Sequence, residues 1–196
     1  MGISAIIEWD RHAFLWVNHN WGFTGLDEFM MLVSNEKSWL AFGLLFFVFC
    51  WFYKNTRLTH ILWVAGVTIS ITDLLCFRLI KPFLHRLRPC YQMDMVRLLE
   101  NSCGSNYGFP SNHAANSMAV IIVVLCLTRN WKWGWLLMLP FIVGISRVYV
   151  GVHYPLDVLF GFVVGGGVAL LVSSLFIWKQ SEILRFLSRV RRQKAQ

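Results

Sequence analysis

Residues 107–127 read YGFPSNHAANSMAVIIVVLCL, a polar cluster running straight into an apolar helix. Proline, serine, asparagine and histidine occupy 110–113, and Ala114 to Leu127 is almost wholly apolar. The apolar part approaches the roughly 20 residues that a helix needs to cross a bilayer core. Ionisable and polar groups at such a helix are costly and commonly mark a site. The stretch therefore predicts a membrane span with something to bind at its mouth.

The rest of the chain agrees with a membrane setting. It has 196 residues, 57% of them hydrophobic and only 14% charged, with a mean hydropathy of +0.55. A soluble domain of this size would struggle to hide that much apolar surface. Five spans are expected, near 36–53, 59–80, 112–128, 133–150 and 155–178, with Pro140 as a kink in the fourth. Gly161, Gly165, Gly166 and Gly167 in the fifth would let a neighbouring helix come close. Ahead of the spans, Ile3, Ile6, Ile7, Phe14 and Val17 form one helical stripe interrupted by Glu8, Asp10 and Arg11. That pattern suggests an amphipathic helix in the membrane interface, anchored by Trp9 and Trp16, with a second short one over 26–33. No secretory signal is expected, because the chain does not open on a basic segment and a small-residue cleavage site. The expected fold is an all-α membrane bundle in a single domain: interfacial helices at 1–35, a five-span core at 36–178 and a basic tail at 179–196.

Charge orients the bundle. Lys54, Arg57, Arg129, Lys132, Lys179, Arg185, Arg189, Arg191, Arg192 and Lys194 share one set of ends with a single acid, Glu182. The bias of Lys and Arg toward the cytoplasm puts that set inside, and loop 81–110 and the amino terminus outside. The net charge of +8 thus reads as a tail lying beside anionic lipid headgroups, not as a nucleic-acid surface. Cys50, Cys76 and Cys126 lie in apolar runs, whereas Cys90 and Cys103 share the outer loop and are either two thiols or a disulfide.

The outer ends also hold cations, against the trend, and gather them with histidines. The stretches are KPFLHRLRP (81–89), PSNH (110–113) and SRVYVGVHYPLD (146–157). Lys81 and Arg88 are seven residues apart, which a helix would place on one face. With Arg147 they make a site for an anion, and guanidinium groups suit phosphate oxygens. Ser111, Asn112 and the N–H groups opening the third span add neutral donors. His153 can act as nucleophile, held by Asp157 two sides of a proline away, while His113 can protonate a leaving oxygen. Only Asp157 among carboxylates falls in these motifs, so metal hydrolysis fits poorly and no cofactor is expected. Arg86 is left between a second phosphate and the headgroup layer, and Asp73 and Arg78 are read as contacts within the bundle. His12, His19, His60 and His85 are unassigned.

The pattern Lys81-x6-Arg88-Pro89, Pro110-Ser111-Asn112-His113 and Ser146-Arg147-x5-His153-x3-Asp157 resembles the type 2 phosphatidic acid phosphatase family. The resemblance implies a metal-independent phosphohistidine mechanism on His153 and a lipid phosphate or diphosphate substrate. Asn112 departs from the glycine most common there. The small size and interfacial amino-terminal helix are similar to bacterial undecaprenyl diphosphate phosphatases of the family. Undecaprenyl diphosphate is the expected substrate. The alternatives are phosphatidylglycerol phosphate, phosphatidate or lipid A, and, outside enzymes, a lipid-phosphate binder or transporter.

Overall fold

A computed structural model of the chain describes residues 2–193, apart from several side chains, among them those of Ile3, Glu36, Arg189, Arg191 and Arg192; Lys194 lies outside that range. Two helices come first, α1 (Ile3–Asn20) and α2 (Thr24–Ser34), then α3 (Glu36–Phe52) and α4 (Thr56–Leu74). A π-helical turn, Leu75–Ile80, carries α4 into α5 (Lys81–Leu84), and α6 (Pro89–Gln92) lies in the loop before α7. Then follow α7 (Asn112–Thr128), a 3-10 turn at Trp131–Leu137, α8 (Met138–Tyr149) and the long α9 (Pro155–Gln193). Among the described residues the only β pairing is an isolated bridge between Leu87 and Tyr107.

Every expected span is helical, but not every one is long enough alone. Thr56–Leu84 and Pro155–Ile183 are long and apolar enough to cross a membrane. A third crossing forms if Thr24–Ser34 and Lys37–Phe52, bent by 55° from each other, count as one span. Helix α7 is a shorter apolar helix of 17 residues and α8 has 12. Local chemistry explains the boundaries. Asn35 and Asn55 cap α3 and α4, their side-chain oxygens accepting from Lys37 N and Leu58 N at 3.0 and 3.1 Å. Pro155 is the first residue of α9, where its missing N–H costs nothing. Pro140 lies in the first turn of α8 instead of kinking a long helix, because the 3-10 turn precedes it; there, too, the lost donor has no helical acceptor.

Helices α4, α7 and α9 form the centre, with Ile61, Val64, Ala65, Ala119, Val123 and Ala169 buried between them. At one end of this group Arg57 Nη2 donates to Thr128 O at 3.0 Å, so two of the basic corners predicted to share a face do meet. At the other end α1 packs on α8 and α9. Its inward face is not the predicted aliphatic stripe. Asp10, Phe14 and Asn18, four residues apart, are fully buried, whereas Ile6, Ile7, Trp9 and Trp16 are exposed. The stripe splits: Phe14 and Val17 pack inward, and the rest of the inward face is polar, with Asn18 bonding to Arg97 and to Tyr149 O and Asp10 holding the start of α9.

Loop 81–110 is tied down at several points. Arg97 pairs with Asp27 of α2 at 2.8 Å, and Tyr149 of α8 donates to the same carboxylate. Cys90 and Cys103 are paired, with Cα atoms 6.2 Å apart, inside the range a disulfide spans. Closing this loop should stabilise the fold by about 3 kcal/mol in the chain-entropy model. Serine at both positions should therefore lower the unfolding temperature in detergent without abolishing turnover. Full alkylation of both thiols under denaturing conditions without reductant, read by intact mass, would show that the bridge is absent.

Candidate active site

The three sequence stretches come together at one end of the bundle, each from a different helix end. Lys81 opens α5 just after the π turn, Ser111 precedes α7, Arg147 lies in the last turn of α8, and His153 and Asp157 flank the start of α9. Lys81, Arg88, Ser111, Arg147, His153 and Asp157 are all at most 7% exposed. One expectation fails: Lys81 and Arg88 do not share a helical face. His85 takes left-handed backbone angles (φ 50°) and ends α5, and the chain then runs extended through Leu87, whose bridge to Tyr107 lifts it off the helix. Arg88 reaches the site from this extended stretch.

His153 is the hub. Its Nε2 accepts from Arg88 Nη1 at 3.1 Å, which leaves the ring proton on Nδ1, facing Asp157 Oδ2 at 3.4 Å. That second contact is electrostatic and not a formed hydrogen bond, since Nδ1 lacks a partner in bonding geometry. Burial, then Arg88, Arg147, Lys81 and His113, hold His153 well below the ordinary imidazole pKa. The same four neighbours are the cations and the second histidine singled out from sequence. Backbone bonds fix the frame: Ser111 N donates to Asp157 O at 2.9 Å, joining the starts of α7 and α9, and His153 N donates to Arg147 O at 3.2 Å.

The remaining predicted residues are placed less uniformly. Ser111 Oγ is buried and, among the described residues, has no hydrogen-bond partner, so it is available to a ligand. Asn112 is not so placed: its side-chain N–H donates to Asp73 Oδ1 at 2.7 Å, and Asn116 donates to the same oxygen at 3.0 Å. Asp73 is thereby the bundle contact expected of it, and it holds the first turn of α7. Arg147 already has company, pairing with Glu100 and bonding to Ser34 O at 3.1 Å and to Ser34 Oγ. Sequence reading missed Glu100 and Asp10, which sit in stretches with no motif. Arg86, which the sequence leaves between a second phosphate and the headgroup layer, bridges Asp10 and Asp157.

Residues 61–181 match the model of the PAP2 superfamily. The chain is 31% identical over 147 residues to a lipid A 4'-phosphatase from Bacteroides thetaiotaomicron, a match covering 71% of this chain and 65% of that protein. It is 32% identical to undecaprenyl-diphosphatase BcrC from Bacillus subtilis, over 82% of this chain and 77% of the relative. The fold resembles the crystal structure of a transmembrane PAP2-type phosphatidylglycerolphosphate phosphatase from Bacillus subtilis, with a TM-score of 0.69 at 23% identity over 87% of this chain and 86% of that one. With its motif residues gathered at one buried site and well over half its length matched, the chain belongs to the PAP2 superfamily, among membrane phosphatases.

Proposed function

We propose that the protein removes a phosphate from a lipid-linked diphosphate, undecaprenyl diphosphate, at the outer face of the cytoplasmic membrane. The observation that carries this reading is the convergence on buried His153 of Arg88 at 3.1 Å, Asp157 at 3.4 Å, and Lys81, Arg147 and His113. In the first step His153 Nε2 attacks phosphorus, the bond to the bridging oxygen breaks, and His113 gives that oxygen a proton. Asp157 stabilises the charge that forms on the imidazole through Nδ1. Water then attacks the phosphohistidine, losing its proton to His113, and inorganic phosphate leaves with Nε2 restored. Arg88 now donates to the very lone pair that attacks, so it must turn to the phosphate oxygens as substrate enters. Lys81, Arg147 and Ser111 Oγ supply the other donors. Charge on the transferring group is met by these cations, which is where most of the catalysis in phosphoryl transfer lies.

A second substrate, the phosphate of lipid A, is favoured by the name of the Bacteroides relative. Purified protein assayed in EDTA for phosphate release from undecaprenyl diphosphate, lipid A, phosphatidylglycerol phosphate and phosphatidate separates the readings by kcat/KM. A preference for lipid A would replace the proposed substrate, and loss of activity in EDTA restored by a divalent ion would overturn the metal-free step.

The lowered pKa of His153 gives a pH expectation. Attack needs Nε2 unprotonated, and its neighbours keep it so as pH falls through 6.5, the ordinary value. The acid limb of kcat/KM, corrected for ionisation of the substrate, should therefore lie below pH 6.5. A limb centred at or above that value would show that the cations do not act on the nucleophile as described.

A further inference from the structure

Arg86 is two residues from Arg88 and does something different. Its Nη1 donates to Asp157 Oδ1 at 2.7 Å, and its Nη2 pairs with Asp10 Oδ2. Both carboxylates are fully buried, while the Arg86 side chain is 23% exposed. The guanidinium lies over the Tyr154 ring, 4.5 Å from its centre. Asp10 Oδ1 accepts from Leu156 N at 2.8 Å, at the first turn of α9. Asp157 Oδ2 accepts from Tyr154 N at 3.0 Å and faces His153 Nδ1. A continuous line of contacts therefore runs from α1 through Asp10, Arg86 and Asp157 to His153.

Geometry and charge give that line a purpose. A carboxylate that must orient an imidazole needs its own rotation fixed, and Asp157 is fixed from two directions, by Tyr154 N on one oxygen and Arg86 on the other. Two buried carboxylates facing one another without a cation between them would repel, so removing Arg86 leaves uncompensated charge beside His153. Only a guanidinium fits, because it offers two donors in a rigid plane to two acceptors at once. The extended stretch 86–88 thus grips the His153–Asp157 pair at both ends, Arg88 on Nε2 and Arg86 on the carboxylate.

We propose that Arg86 and Asp10 are positioning residues for the phosphoryl-transfer step, through which the amino-terminal helix α1 sets the orientation of Asp157 against His153. The inference rests on the role proposed for His153. It gives α1 a part in turnover beyond anchoring in the membrane interface. Neither residue need touch the phosphate, so the signature is a loss in kcat with substrate affinity kept.

The test compares R86Q, R86K, D10N, the double variant R86Q/D10N and H153A, each purified as full chain and assayed for phosphate release. R86Q should lose roughly 10²-fold in kcat with KM within about threefold, the cost of misplacing a group that orients the nucleophile. R86K should recover only part of this, since an ammonium keeps the charge but cannot bridge both carboxylates. D10N should lose less than R86Q, because its side-chain oxygen can still accept from Leu156 N. The double variant should be no worse than R86Q by more than about twofold, because both act along one line. A raised KM with kcat unchanged in R86Q would place Arg86 on the substrate and overturn the proposal. So would full activity in R86K, or multiplying losses in the double variant. Should R86Q fail to fold, R86K and D10N still decide it by the same split. A dead H153A beside an unimpaired R86Q overturns this inference alone; an active H153A overturns the assignment of the nucleophile and this inference with it.

Discussion

Alanine at His153 is expected to abolish turnover, by on the order of 10⁴-fold or more, since nothing else within the site can take the phosphoryl group. The residue is 1% exposed and its Nε2 is met by Arg88, so the surroundings are built around this one ring. Nearby nucleophiles do not substitute: Ser111 Oγ is buried with no hydrogen-bond partner among the described residues to take its proton, and the Asp157 oxygens are engaged by Arg86 and Tyr154 N. His113→Ala should lose less, roughly 10²- to 10⁴-fold, the usual contribution of a general acid. Its loss should shrink for substrates whose leaving group departs without a proton. Single-turnover phosphate release, with trapping of an acid-labile phosphoenzyme, checks both. H153A should form no phosphoenzyme, and H113A should form it slowly or hydrolyse it slowly. Activity of H153A within tenfold of the parent would sink the assignment.

Much of this site is legible in the sequence because the motif residues stand beside long apolar runs, and such runs are what patterning reveals best. The polar cluster at 110–113 marks the mouth of α7 because fourteen residues of apolar helix follow it. Pro155 marks the mouth of α9 in the same way. What is not legible lies where the chain leaves helical periodicity. The seven-residue spacing of Lys81 and Arg88 suggests a shared helical face, yet the left-handed His85 ends the helix between them and breaks that geometry. Contacts across elements are also silent. Nothing near Asp10 announces that its partners lie at Arg86 and Leu156, and Asp10 looks instead like an interruption on an amphipathic surface. Likewise Asn112 looks like a variant of a phosphate loop, and only the fold brings Asp73 beside it.

The seam between α7 and α9 should be the least forgiving place in the fold outside the chemical groups. Both helices place small residues there, Gly161, Gly165 and Ala169 at four-residue spacing on α9, and buried Ala114, Ala115 and Ala119 on α7. In a membrane, such residues let backbones touch where bulky side chains would hold them apart. A Cβ at Gly165 would stand 2.6 Å from the Ala115 carbonyl carbon and closer still to its oxygen. At Gly161 it would stand 2.6 Å from Ser111 O. These neighbours are backbone and cannot rotate away, so α7 itself must retreat. By contrast a Cβ at Gly166 meets only Met118 Cγ at 3.7 Å, and at Gly167 it meets nothing within 4 Å. The four glycines that look alike in sequence are therefore two that set helix spacing and two that do not. Gly165→Ala is expected to cost about 1–3 kcal/mol or more through overpacking. It should also reduce activity by roughly 10²-fold, because backing α7 off by about 1 Å moves Ser111 and His113 away from His153. The bond from Ser111 N to Asp157 O, which joins the two helix starts, would be the first contact to stretch. Gly167→Ala should be neutral or slightly stabilising, since alanine favours helix over glycine by up to about 1 kcal/mol. Thermal unfolding in detergent and phosphate release, measured on both variants side by side, separate the cases. Equal behaviour of the two would mean that α7 and α9 are not held at glycine distance, and that the site does not depend on their contact.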